Sequence, residues 1–155
     1  AWAACRHTEY HLGFTSTYIR YKPLEWTDGD LCIVLPQKAQ DLVDEGKILR
    51  HCVGGYSKEH CSGKPIFFVR HYRRPERSYY TLQINMTGQS PHEIQLHGYG
   101  NEHHGENKQH RHKIPRKVRE FCDRWECEVL RPWFAKQRMP KEKPGAGKKK
   151  EGTAA

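Results

Sequence analysis

The sequence predicts an α+β fold: a short antiparallel β-meander packed against two helices, with a disordered basic C-terminal tail. Three observations predict it. Ile66-Phe67-Phe68-Val69 is the most apolar run in the chain, and such a run suits a strand buried on both faces. Two later runs alternate: Tyr80, Leu82, Ile84 and Met86 against Tyr79, Thr81, Gln83 and Asn85, then Ile94 and Leu96 against Glu93, Gln95 and His97. Finally, Ala39, Leu42 and Val43 share one helical face, and Val118, Phe121, Cys122, Trp125 and Val129 recur at helical spacing.

Each element follows from local chemistry. Tyr18-Ile19-Arg20-Tyr21 reads as a short strand, and Trp26-Thr27-Asp28-Gly29-Asp30 as a turn, since Asp and Gly favour tight reversals. Leu31 to Leu35 is a short apolar strand. Pro36 suits a helix start and Gly46 a helix stop, which places a helix at 37–46. Cys61-Ser62-Gly63-Lys64-Pro65 is a loop before the strand at 65–72. Arg73 to Ser78 is a charged loop, and Thr87-Gly88-Gln89-Ser90-Pro91 reads as a hairpin turn. Residues 98–112 are polar and glycine-rich, hence loop. Pro115 opens the last helix, which Pro132 ends or kinks, with Trp133 and Phe134 as a final apolar anchor. The organisation is a lead-in at 1–16, a domain at 17–135 and a disordered basic tail at 136–155. The first residue is Ala1 rather than Met, which points to a missing upstream part.

The chain carries 27 Lys and Arg against 18 Asp and Glu, a formal charge of +9, so polyanions are the favoured partners, nucleic acid first. At 35% hydrophobic, the composition supports one core of about a hundred residues and little beyond it. No run approaches the roughly 18 apolar residues that span a bilayer, and residues 1–20 lack the apolar stretch of a secretory leader. Cysteines at 5, 32, 52, 61, 122 and 127 form no repeated framework. The expectation is a cytoplasmic protein with reduced thiols, no membrane partner and no cofactor.

Chemistry concentrates in two glycine-containing segments. His51-Cys52-Val53-Gly54-Gly55-Tyr56 sets a His-Cys pair before a double glycine that permits a sharp turn or a close backbone approach. Adjacent His and Cys do not face each other, so a catalytic pairing of Cys52 would need His92 or His97. The plainer reading makes Cys52, Gly54, Gly55, Tyr56 and Gly98 structural turn residues, with Cys52 buried. In Gln95-Leu96-His97-Gly98-Tyr99-Gly100-Asn101, Gln95 and His97 share a strand face and Asn101 carries an amide that donates and accepts. His51, Gln95, His97 and Asn101 are therefore the candidate catalytic set, if the two segments meet. His51-Cys52, His60-Cys61 and the histidines at 103, 104, 110 and 112 lack a tetrahedral-site spacing, so no metal is assigned. Arg70, Arg73, Arg74, Arg77, Tyr79 and Lys117 mix guanidinium, ammonium and aromatic groups, a combination that suits phosphates and bases. A surface of Tyr72, Tyr79 and Tyr80 could instead serve a protein partner.

Leu49-Arg50-His51-Cys52-Val53-Gly54-Gly55-Tyr56 resembles the signature of PcfJ-like proteins of conjugative plasmids and other mobile elements. The order of parts agrees: Glu45-Gly46 before it, a strand ending in Arg70, the Tyr80-Thr81-Leu82-Gln83-Ile84 strand, Gln95/Gly98/Asn101, and a closing helix with Trp125. The likeness covers about residues 17–130. It departs at His97, where that family often has arginine. The resemblance implies a mobile-element context, DNA transfer and fellow mobile-element proteins as partners, more than any reaction. The leading expectation is an accessory protein binding nucleic acid through its basic surface. The alternative is an enzyme acting on a nucleotide or nucleic acid at His51, Gln95, His97 and Asn101.

Overall fold

Runs that alternate or are wholly apolar form strands, and here five of them pair in chain order. In the computed structural model, which describes residues 13–100 and 114–139, the strands are β1 (Trp26–Asp28), β2 (Leu31–Val34), β3 (Ile66–His71), β4 (Tyr80–Asn85) and β5 (His92–His97). Each is antiparallel to its neighbours, giving the order β1-β2-β3-β4-β5. The expected α+β meander is present, with two more strands than the three clearest runs indicate. The helices are α1 (13–21), α2 (Ala39–Leu49), α3 (Ser57–Cys61), α4 (Arg116–Trp125) and α5 (Arg131–Arg138).

Helices cover both faces of the sheet, so there are two cores. On one face Leu31, Ile33, Phe67, Val69, Leu82, Ile84 and Leu96 pack with Val118, Phe121 and Trp125 of α4. The Trp125 indole N–H donates to the Leu24 carbonyl at 2.8 Å, tying α4 to the segment before β1. On the other face Ile66 and Phe68 meet Phe14 of α1, Leu42 of α2 and Val53. Phe67 and Phe68 thus point oppositely and both are buried, as a continuously apolar strand between two layers requires.

Several expectations need correction. Residues 18–21 are helical: Phe14, Thr17 and Tyr21 are the buried positions, a helical spacing that the fragment 18–21 alone does not reveal. Phe14 is 1% exposed, so the packed domain takes in part of the expected 1–16 lead-in. Trp26–Asp28 is a strand, and the reversal is confined to Gly29 and Asp30, with Gly29 at φ +61°. Helix α2 runs through Gly46 to Leu49 and stops at Arg50, which takes the left-handed conformation (φ 53°). Ile94 is 44% exposed because β4 and β5 slip register at Gln83/Ile84, where Ile84 pairs with Glu93 rather than with residue 94. That bulge aims Glu93 at Arg119 of α4, which donates to it at 2.9 and 3.0 Å. Pro132 does not end the last helix; one π turn, Glu126–Leu130, absorbs it and α5 continues to Arg138, taking in the first three residues of the expected tail.

Candidate functional site

The glycine segments meet at one end of the sheet because α2 and β5 both finish there. Within α2, Gly46 has no side chain to hold the following turn away. A Cβ there would lie 3.0 Å from both the Gly54 nitrogen and the His51 carbonyl oxygen, and one at Gly54 would lie 3.3 Å from the Val43 Cα. The two glycines let the 3-10 turn Cys52–Gly55 lie flat on the helix. Neither Gly54 nor Gly55 has a positive φ, so close approach, not an unusual backbone angle, is the reason for glycine at Gly54. From the other side, the Gly100 N–H donates to the Leu49 carbonyl at 2.9 Å, and the Tyr80 ring packs where a Gly98 side chain would stand.

His51, Cys52, Val53, Tyr56, Thr81, Gln95 and His97 line the resulting cleft. Three of the four expected catalytic residues are thereby brought together; Asn101 lies outside the described residues, as do Cys5, His7 and the histidines at 103–112. The cleft has a volume of about 10 Å³, room for about one water.

A buried hydrogen-bond chain fixes His51. Glu45, on the inward face of α2 and 2% exposed, accepts both terminal N–H groups of Arg70 at 2.9 and 2.6 Å, the Ser78 hydroxyl at 2.7 Å and the Thr81 hydroxyl at 3.2 Å. Thr81 has one proton and gives it to Glu45, so its oxygen accepts the proton of His51 Nε2, 3.0 Å away. His51 Nδ1 in turn accepts the Val53 N–H at 3.4 Å. The network assigns the neutral Nε2–H tautomer. Burial lowers the His51 pKa below the usual imidazole value, against an opposing pull from Glu45. A second row runs across β4 and β5. His97 Nε2 donates to Gln95 Oε1 at 2.9 Å, Gln95 Nε2 to Gln83 Oε1 at 2.7 Å, and Gln83 Nε2 to the Lys64 carbonyl at 3.2 Å. That terminal carbonyl can only accept, which orients both amides and makes His97 a donor.

Sequence reasoning missed Glu45 and Thr81. A signal existed: Glu45 falls between Leu42 and Leu49 on the face of α2 that is otherwise apolar, and a carboxylate there demands a partner. Arg70 is that partner. It is 7% exposed and points inward, so it is not part of any nucleic-acid surface. Cys52 is exposed rather than buried; Val53 fills the core position beneath the turn. His92 sits at the opposite end of β5, paired with Asn85, and cannot reach Cys52. Among the described residues no group of His, Cys, Asp or Glu could hold a metal ion.

The other expected binding residues gather elsewhere. Arg73, Arg74 and Arg77 are exposed on the β3–β4 hairpin and have no salt-bridge partner among the described residues. Arg73, Tyr79 and Lys117 line a groove of about 350 Å³ with Asp30, Leu31 and His71. The His71 and Tyr79 rings stack with centroids 4.3 Å apart. Lys117 donates to Asp30 at 3.0 Å and holds that carboxyl below its ordinary pKa. Of the tyrosine surface, Tyr72 is 59% exposed, while Tyr79 and Tyr80 pack edge to face at 4.8 Å.

Fold and site together define a small α+β protein with a polar histidine cleft and a separate basic groove, and with no helix among the described residues long and apolar enough to cross a membrane. The family model of PcfJ-like proteins matches residues 3–129, and the chain belongs to that family. It is also 40% identical over 81 residues to an uncharacterised protein of Listeria innocua, Lin1253/Lin1744. That stretch is 50% of this chain and 18% of the relative, so the match spans under a fifth of the relative's length. No solved structure matches.

Proposed function

We propose that this protein is an accessory protein of a mobile genetic element that binds nucleic acid through the basic surface around the β3–β4 hairpin. The observation that carries the reading is the convergence of Arg73, Tyr79 and Lys117, from three separate positions in the chain, on one groove beside exposed Arg74 and Arg77. Family membership supports the mobile-element context and other mobile-element proteins as partners. The five described cysteines are unpaired, which suits work in the reducing cytoplasm. The test is anisotropy of a labelled oligonucleotide across a salt series. The logarithm of affinity should fall linearly with that of salt, at about 0.7 to 0.9 per phosphate neutralised. Converting Arg73, Arg74 and Arg77 to Gln should flatten the slope. Absent or salt-insensitive binding rejects the reading.

One observation favours a second reading, an enzyme acting on a nucleotide or nucleic acid: His51, Gln95 and His97 share a cleft as expected from sequence. Space for about one water suits a single reacting group rather than a whole base. On this reading His51→Ala lowers turnover by at least about a hundredfold. The reading fails if wild-type protein leaves nucleoside triphosphates and oligonucleotides unchanged by chromatography.

A further inference from the structure

We propose that the groove lined by Asp30, His71, Arg73, Tyr79 and Lys117 takes single-stranded nucleic acid, with one unpaired base stacked on the His71–Tyr79 pair and its flanking phosphates held by Arg73 and Lys117. This deepens the nucleic-acid reading above and rests on it.

Shape comes first. The groove, about 350 Å³, falls within the roughly 300–1,000 Å³ typical of sites for small organic groups, whereas a duplex backbone needs only an open basic face. The aromatic platform comes second. His71 ends β3 and is exposed, and its ring stacks on Tyr79 at 4.3 Å and 30°. Tyr79 also meets Tyr80 edge to face at 4.8 Å, and the exposed His71 ring leaves the pair a face on which a base can stack. Stacking needs a base face, and a duplex offers only base edges in its grooves, so this platform operates on unpaired bases.

Charge completes the case. Arg73 is exposed at the hairpin and Lys117 reaches in from α4, so cations come from two elements around the aromatic pair. Asp30 is the one acidic side chain in the groove. Its pair with Lys117 joins side chains that are 73% and 75% exposed, and such pairs contribute little, so a phosphate can replace Asp30 on Lys117.

The experiment compares the full chain binding a labelled single strand of about 12 nucleotides and the duplex of the same sequence, at matched salt. The single strand should bind at least about tenfold tighter. Tyr79→Ala should weaken the single strand by on the order of tenfold and the duplex by much less, while Tyr79→Trp retains affinity. Lys117→Gln, on an exposed side chain that the fold does not need, should lower the single-strand salt slope by about 0.7. Equal affinity for both probes overturns the proposal and leaves the general basic-surface reading standing. So does a silent Lys117→Gln together with a silent or unfolded Tyr79→Ala. Failure to bind either probe overturns both.

Discussion

His60 shows how one side chain in this fold sets a pH limit. It is fully buried, lies tilted against the Phe14 ring at 4.9 Å, and accepts the Ile66 N–H at Nδ1 over 2.8 Å. Its proton therefore sits on Nε2, which has no partner among the described residues. A second proton would put a charge at Nδ1, against an N–H and inside an apolar core, so burial pushes the pKa down to about 4. The unfolded imidazole takes its proton near 6.5 and the folded one near 4. Across that window the unfolded state holds more protons, so stability is lost as pH falls through it, by roughly 3 kcal/mol in all. His51, lowered for the same reason, acts in the same direction. Urea unfolding at stepped pH checks this. Wild type should weaken steadily from pH 6.5 to 4, and His60→Asn, which keeps an acceptor for Ile66, should lose most of that slope. An identical slope in the variant would show that some other group controls acid stability.

The contact between α2 and the turn after it makes unequal demands on neighbouring glycines. Ala is the better helix former by about 1 kcal/mol, yet at Gly46 its methyl would press on two backbone atoms at 3.0 Å, which cannot yield as a side-chain tip can. Gly46→Ala should therefore destabilise by about 1–3 kcal/mol. Gly55 has nothing within 4 Å of its would-be Cβ, so Gly55→Ala should be neutral or stabilising by up to about 1 kcal/mol. Thermal melts of the two variants decide it, and a harmless Gly46→Ala would mean that the turn is free to lift from the helix. The double glycine marked the right place in the sequence, but not which glycine is needed or why. Close approach of two segments is a tertiary fact that no local pattern encodes. The same holds for β5: alternation put Ile94 inward, and a one-residue bulge that aims Glu93 at Arg119 turned it out. Period-two and helical patterns were legible where one face is uniformly apolar, as in β3, β4 and α4. They failed at residues 18–21, where the buried spacing starts outside the segment.

At the scale of the molecule, the two chemistries separate along lines the sequence only half shows. His51, Gln95 and His97 were readable as a set because each glycine segment breaks an element at the same end of the sheet. Arg70 was not distinguishable from Arg73, since its partner Glu45 lies 25 residues away on another element. The distribution of charge then makes a testable demand. Residues 140–155 hold five lysines and two glutamates, +3 of the total +9. If affinity came from the lysine tail, removing it would weaken every nucleic acid alike and remove most of the salt dependence. If the groove and hairpin carry it, a chain ending at Met139, just beyond α5, keeps the same melting temperature and the same ranking of ligands. Its salt slope should shrink by no more than about 3.5, the most that five lysines can account for at 0.7 per phosphate. Anisotropy titrations of both lengths against one oligonucleotide measure this directly. Loss of all binding on truncation would locate the affinity in the lysine tail and leave the groove without a role.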